Sequence, residues 1–146
     1  MKPFGPPLSE PFALKFPEKF NARIDPKGWL MSEKLDGVRC QWTGKGLYTR
    51  DGRKLAVPDF FVKKFPRSPL DGELYLGRGK YNALLSLLLN PERTKEDWLK
   101  VTYVVFDAPA LNIPFQQRLN VPILNHIDYE ISVREQRLSL HCPSRI

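Results

Sequence analysis

The stretch Lys34-Leu35-Asp36-Gly37-Val38-Arg39 gathers the side chains that nucleophilic work on a phosphate requires. Lysine offers an amine that attacks phosphorus once it is neutral, and arginine offers a guanidinium fork that grips phosphate oxygens in pairs. An ordinary lysine ammonium has a pKa of about 10.4, so near pH 7 it is no nucleophile. Desolvation and neighbouring cations raise the neutral fraction, which places such a lysine in a cleft. Four fixed residues in six arise by chance in about one chain in a thousand of this length. Two more stretches carry groups suited to the same chemistry. Tyr48-Thr49-Arg50-Asp51-Gly52 sets a cation at a turn, and Leu70-Asp71-Gly72-Glu73-Leu74 sets two carboxylates two residues apart. Taken singly, each has a plainer reading: a solvated Lys34, Asp-Gly pairs that only turn the chain, a Glu73 facing water, and a Phe106 that is core.

These residues need elements to hold them. Strand-like runs at 29–34 and 38–42 flank Asp36-Gly37, a dipeptide that tolerates the positive φ of tight turns, so a hairpin is expected with Lys34 just before its tip and Arg39 on the returning strand. Residues 47–50 form a third strand after the Gly44-Lys45-Gly46 turn, and Asp51-Gly52 turns the chain again. Residues 58–65 make a short helix. Residues 70–76 alternate as a strand with Asp71 and Glu73 on one face. A leucine-rich core helix at 80–89 stops at Asn90-Pro91, and Pro91 opens a second helix running to about residue 99. Residues 101–107 are the most apolar strand, 114–119 resume helix, and 127–133 form one more strand. The fold class expected is α+β, with antiparallel sheets flanked by helices. Gly77-Arg78-Gly79-Lys80 lacks the length and the closing Ser or Thr of a phosphate-binding loop and reads as a flexible basic turn.

Composition sets the frame around this. With 146 residues, 42% hydrophobic and 27% charged, the chain suits one modest core. Prolines at 3, 6, 7, 11, 17 and 26 make residues 1–26 an extended arm. Lys and Arg outnumber Asp and Glu by 23 to 16, a net charge of +7 that attracts polyanions, nucleic acid above all. Cys40 and Cys142 lack the paired spacing of zinc sites, and His126 and His141 are not at i, i+4. No run has the length of a signal peptide or a bilayer span, so an intracellular, reducing compartment and no membrane partner are expected.

The Lys34 to Arg39 motif resembles the adenylylation motif of ATP-dependent DNA ligases, within the wider superfamily of RNA ligases and mRNA capping guanylyltransferases. Tyr48-Thr49-Arg50-Asp51-Gly52 resembles the next element, with Thr49 where serine is more usual. Leu70-Asp71-Gly72-Glu73-Leu74 resembles the third, Tyr103-Val104-Val105-Phe106-Asp107 the fourth, and Pro114-Phe115-Gln116-Gln117-Arg118-Leu119 the stretch that follows it. All five occur in the family's order. Gly28-Trp29-Leu30 and Gly77-Arg78-Gly79 also have counterparts in the small bacterial-type ligases without large added domains. The resemblance covers roughly residues 14–119.

That resemblance implies part of a nucleotidyltransferase adenylation domain, ATP-grasp-like in fold, over residues 27–119. Lys34 would attack the α-phosphorus of ATP and keep AMP as a phosphoramidate. Arg39, Glu73 and Phe106 would bind the nucleotide, Glu73 through the ribose and Phe106 by stacking on adenine. Glu73 would also approach the metal, with Mg²⁺ neutralising the triphosphate. Arg39 and Arg50 would steer the 5′-phosphate of nicked duplex DNA, whose 3′-hydroxyl then displaces AMP. Residues 120–146 contain neither a Glu-Gly pair nor a lysine, so the family's later metal-holding and α-phosphate elements have no counterpart there. A truncated gene model, an expressed fragment and a degenerate paralogue each account for this. An uncovered apolar sheet surface in such a chain would call for a protein partner. Two other readings stand beside the DNA ligase: an RNA ligase or capping nucleotidyltransferase, and a catalytically dead module that binds nucleotide or DNA.

Overall fold

In chain order the elements are β1 (Phe4–Pro7), β2 (Leu30–Met31), β3 (Val38–Trp42), β4 (Leu47–Thr49), β5 (Arg53–Leu55), α1 (Asp59–Val62), β6 (Leu70–Tyr75), α2 (Tyr81–Leu89), α3 (Lys95–Trp98), β7 (Thr102–Asp107), α4 (Phe115–Arg118), β8 (Ile131–Val133) and β9 (Arg137–Leu138). The computed structural model describes residues 4–7, 21, 23, 25, 27, 30–90, 92–118, 131–133 and 137–138. Seven strands share one sheet in the order β1-β5-β4-β3-β6-β7-β8, and β2 pairs with β9 in a second. The fold is α+β as expected. The large sheet is antiparallel except at one edge, where β8 runs parallel to β7.

Strict alternation decides which face of the central strands is buried. Val38, Cys40 and Trp42 of β3 share a face with Leu70 and Leu74 of β6 and with Tyr103 and Val105 of β7. Phe61 of α1, Phe65 just after it, Leu84 and Leu88 of α2 and Trp98 of α3 pack onto that face. The aromatic rings interlock: Phe65 stacks on Tyr103 at 5.4 Å, meets Trp42 edge-on at 5.2 Å, and Phe61 lies 4.9 Å from Trp98. Burying each such large apolar side chain stabilises the fold by about 2 kcal/mol. Tyr103 also donates its hydroxyl to the Cys40 carbonyl at 2.9 Å, so the ring spans β6 to reach β3. It lies flat over Gly72, where a Cβ would stand 2.8 Å from Cζ of the ring and 2.6 Å from the Val104 carbonyl oxygen. Only glycine permits this crossing.

Several expectations need correction. The hairpin at Asp36-Gly37 does not form: β2 pairs with β9, β3 pairs with β4 and β6, and residues 32–36 have no regular structure. Gly37 is absent from the positive-φ glycines. It is needed for close approach instead, because a Cβ there would stand 2.2 Å from the Leu74 carbonyl oxygen. The second helix begins at Lys95 rather than at Pro91, which lies outside the described residues. Thr94 caps it by accepting from the Asp97 amide, and Asp97 reciprocates, so a capping box sets its start. The leucine helix is core only along one stripe: Leu84 and Leu88 are buried while Leu89 is 49% exposed. Of the strand expected at 127–133, only Ile131–Val133 is among the described residues, as β8. The helix at 58–65 contracts to α1, and Arg93 ties down the segment that leads into it by donating to the Ala56 carbonyl.

Gly72→Ala is expected to destabilise the fold by about 3 kcal/mol through overpacking against Tyr103 and the Val104 carbonyl. A urea unfolding curve reads this as a lower midpoint at unchanged slope. An unchanged midpoint would show that β6 and Tyr103 can part without loss.

Candidate functional site

The face of β3, β6 and β7 turned away from the core holds most of the residues singled out above. Arg39 stands directly opposite Glu73, and Gln41 opposite Asp71. The Arg39 guanidinium grips Asp71 with two bonds, Nε to Oδ1 at 3.3 Å and Nη2 to Oδ2 at 2.7 Å. Asp71 is buried and Arg39 largely so. In such surroundings, removing one partner strands the other's charge. Burial pushes the Asp71 carboxyl above the usual carboxylate range. Arg39 pulls it back and the nearby Asp107 pushes it up further.

The Arg39 guanidinium carbon lies 5.4 Å from the centroid of the Phe106 ring, within cation–π range. Alternation along β7 puts Phe106 on this face, and a β-bulge follows it. Gly72 pairs with Val105 and Asp71 pairs with Asp107, so Phe106 is the extra residue on β7. Without the bulge Asp107 would follow Val105 onto the core face. With it, Asp107 stands beside Asp71, and Arg118 of α4 meets it in a two-pronged pair, Nε to Oδ1 at 2.6 Å and Nη2 to Oδ2 at 3.0 Å.

Glu73 is half-buried, and its Oε1 accepts the backbone N–H of Gly37 at 2.8 Å. That bond fastens the segment carrying Lys34 to β6. Lys34 itself is exposed, so the cleft expected to desolvate it is not supplied by the described residues. The reason is the missing hairpin: Lys34 sits in the irregular 32–37 segment and not at a paired strand end. On the same segment Glu33 pairs with Arg78 of the basic turn at 3.0 Å, with both side chains well exposed. Arg50 is exposed in the turn after β4, one step beyond the Cys40–Thr49 pair on the Arg39 side. Thr49 orders that turn, donating to Asp51 Oδ1 at 2.5 Å and accepting from the Arg53 amide, while Gly52 takes φ 80°.

The structure therefore brings Arg39, Glu73 and Phe106 together, ties the Lys34 segment to them through Gly37, and leaves Arg50 at the neighbouring turn. Sequence reasoning passed over Asp71, Asp107 and Arg118 as site-shaping residues. The shared face of Asp71 and Glu73 was a signal for the first. Nothing in the sequence marks the bulge that brings in the other two.

No protein-family model matches this sequence. The chain is 37% identical over 113 residues to the DNA ligase of Haemophilus influenzae, a likeness that spans 75% of this chain and 41% of that protein. Among solved structures it is similar to one from a structure-function analysis of Lig E DNA ligases, with a TM-score of 0.76 and 30% identity over 86% of this chain and 51% of the other. The chain thus spans about half or less of the length of these relatives. The resemblance to bacterial-type DNA ligases read from the motifs is borne out in sequence and in fold.

The pH dependence of Asp71 follows from its environment. Its folded pKa lies above the unfolded value, so its contribution to stability is full below the unfolded pKa, near 3.8, and is lost as pH rises through the folded value. Relative to Asp71→Asn, the parent is therefore expected to lose ground as pH rises through the range just above 3.8. Chemical unfolding of both proteins across that range measures it. A parent that gains on the variant would mean that Arg39 outweighs burial.

Proposed function

From this likeness to DNA ligases in sequence and fold, we propose that the chain forms the nucleotide-binding front portion of an ATP-dependent DNA ligase, with Lys34 as the residue that takes up AMP. The observation that carries the reading is the convergence of Arg39, Glu73 and Phe106 on one face, with Glu73 fastened to the segment that holds Lys34.

In the step proposed, the Lys34 amine gives up a proton to solvent and forms a bond to the α-phosphorus of ATP. The bond from that phosphorus to the bridging oxygen breaks, and pyrophosphate leaves with the electron pair. Phe106 presents a face to adenine, and Glu73 takes the ribose. Arg39 and Arg50 hold phosphate oxygens, first of the nucleotide and then of the 5′ end at a nick. Since Lys34 is exposed, bound nucleotide must itself shield the amine from water.

Among the described residues no group of three or more His, Cys, Asp or Glu forms a metal cage. Mg²⁺ commonly takes only one or two carboxylates beside substrate phosphates, which a single Glu73 fits. When bound, the ion neutralises triphosphate charge. Nicked duplex DNA as the acceptor agrees with the net charge of +7. Among the described residues no helix is long and apolar enough to cross a membrane.

Incubation with α-labelled ATP and Mg²⁺ is expected to leave label on the full chain through a denaturing gel. Lys34→Ala should retain none, and Arg39→Lys should label about a hundredfold more slowly because a bidentate fork is lost. Label taken from GTP but not from ATP would replace the ligase reading with a capping-type nucleotidyltransferase. No label from either would leave a binding module.

A further inference from the structure

The charged groups on the site face form a line that crosses four elements, with a cation at each end and two carboxylates between: Arg39 on β3, Asp71 on β6, Asp107 on β7 and Arg118 on α4. The first and last links are two-pronged ion pairs. The middle link is repulsive, because Asp71 and Asp107 are direct cross-strand partners. Both outer pairs are shielded, with Arg118 and Asp107 only 19% and 21% exposed. The line is balanced only while each arginine keeps its own carboxylate.

We propose that Arg118 is a positioning residue for the nucleotide site: by holding Asp107, it keeps Arg39 on Asp71 and over the Phe106 ring. Arg118 is well placed for this. Its Nη1 donates to the Ile113 carbonyl at 2.7 Å and its guanidinium lies 5.4 Å from the centroid of the Phe115 ring, so the fork is held from three sides. Asp107 is the residue directly after Phe106, and its Oδ1 also accepts the Ala108 amide at 2.8 Å, which anchors the end of the bulge. Without Arg118 the Asp107 carboxylate has the Asp71–Arg39 pair beside it. The Arg39 guanidinium is then drawn from Asp71 towards Asp107, away from its seat over Phe106.

The geometry stands on its own, while its consequence for nucleotide rests on the reading under Proposed function. Two readouts on the full chain separate them. The first is the Nε–Hε resonance of Arg39, which reports its bond to Asp71 without nucleotide. Arg118→Met should move that resonance, and Asp107→Asn/Arg118→Met, which removes both charges of the outer pair, should return it close to the parent position. The second is self-labelling with ATP. Arg118→Met should raise the ATP concentration for half-maximal rate about tenfold with the maximal rate little changed, and the double variant should recover most of that loss.

A merely structural role predicts a double variant at least as impaired as the single one, and that result overturns the proposal. So does an Arg39 resonance unmoved by Arg118→Met. If the Arg39 resonance shifts and returns as expected but no variant, nor the parent, takes label, the positioning stands and the ligase reading alone fails.

Discussion

Tyr103 lying across Gly72 to reach the Cys40 carbonyl is the contact on which the arrangement of the sheet depends. It joins β7 to β3 over the top of β6, and it works only where β6 has no side chain to interfere. With those three strands locked together, their register cannot slip. A slip of a single residue would exchange core and site faces along a whole strand, because side chains alternate with a period of two. The close packing on one face therefore determines what stands in line on the other, and Arg39, Glu73 and Phe106 owe their proximity to an aromatic core on the opposite side of the sheet.

On the site face, charge takes over from packing. Arg39 and Asp71 are neighbours in a setting too dry for either to stand alone, and the β7 bulge adds a second carboxylate that would unbalance them were Arg118 not beyond it. Bulges commonly re-aim one side chain, and here the extra residue turns Asp107 out of the core while Phe106 keeps the place beside Arg39 that alternation gives it. A face built this way can receive an anion next to a fixed cation and an aromatic plane without first reorganising, the property that makes preset electrostatics effective in phosphoryl transfer.

The lysine at the head of the motif is held differently from the rest. Its segment is fastened at Gly37 by Glu73 and leans on Arg78 through Glu33, yet the side chain projects into solvent. The regular part of the site is thus the part proposed to read the nucleotide, and the amine proposed to take up AMP sits on irregular backbone beside it. That division would suit the group transfer proposed for Lys34.

Much of this was legible in the amino-acid order. The strand-like run at 38–42, the alternation at 70–76 and the apolar run at 101–107 announced strands, and the spacing of Asp71 and Glu73 put both carboxylates on one side, because those properties depend only on neighbours along the chain. The motif residues and their order likewise sufficed to recognise the kinship with DNA ligases. Three things were decided only in three dimensions. Asp36-Gly37 has the composition of a hairpin turn, but β2 found β9, a strand more than 100 residues away, and Gly37 served a close approach to Leu74. The bulge at Phe106 arises from the pairing of β7 with β6 and has no local mark. The two-pronged bonds of Arg39 to Asp71 and of Arg118 to Asp107 select one carboxylate among several within reach. Local propensity cannot make that selection, since it turns on distance and dryness once the sheet has closed.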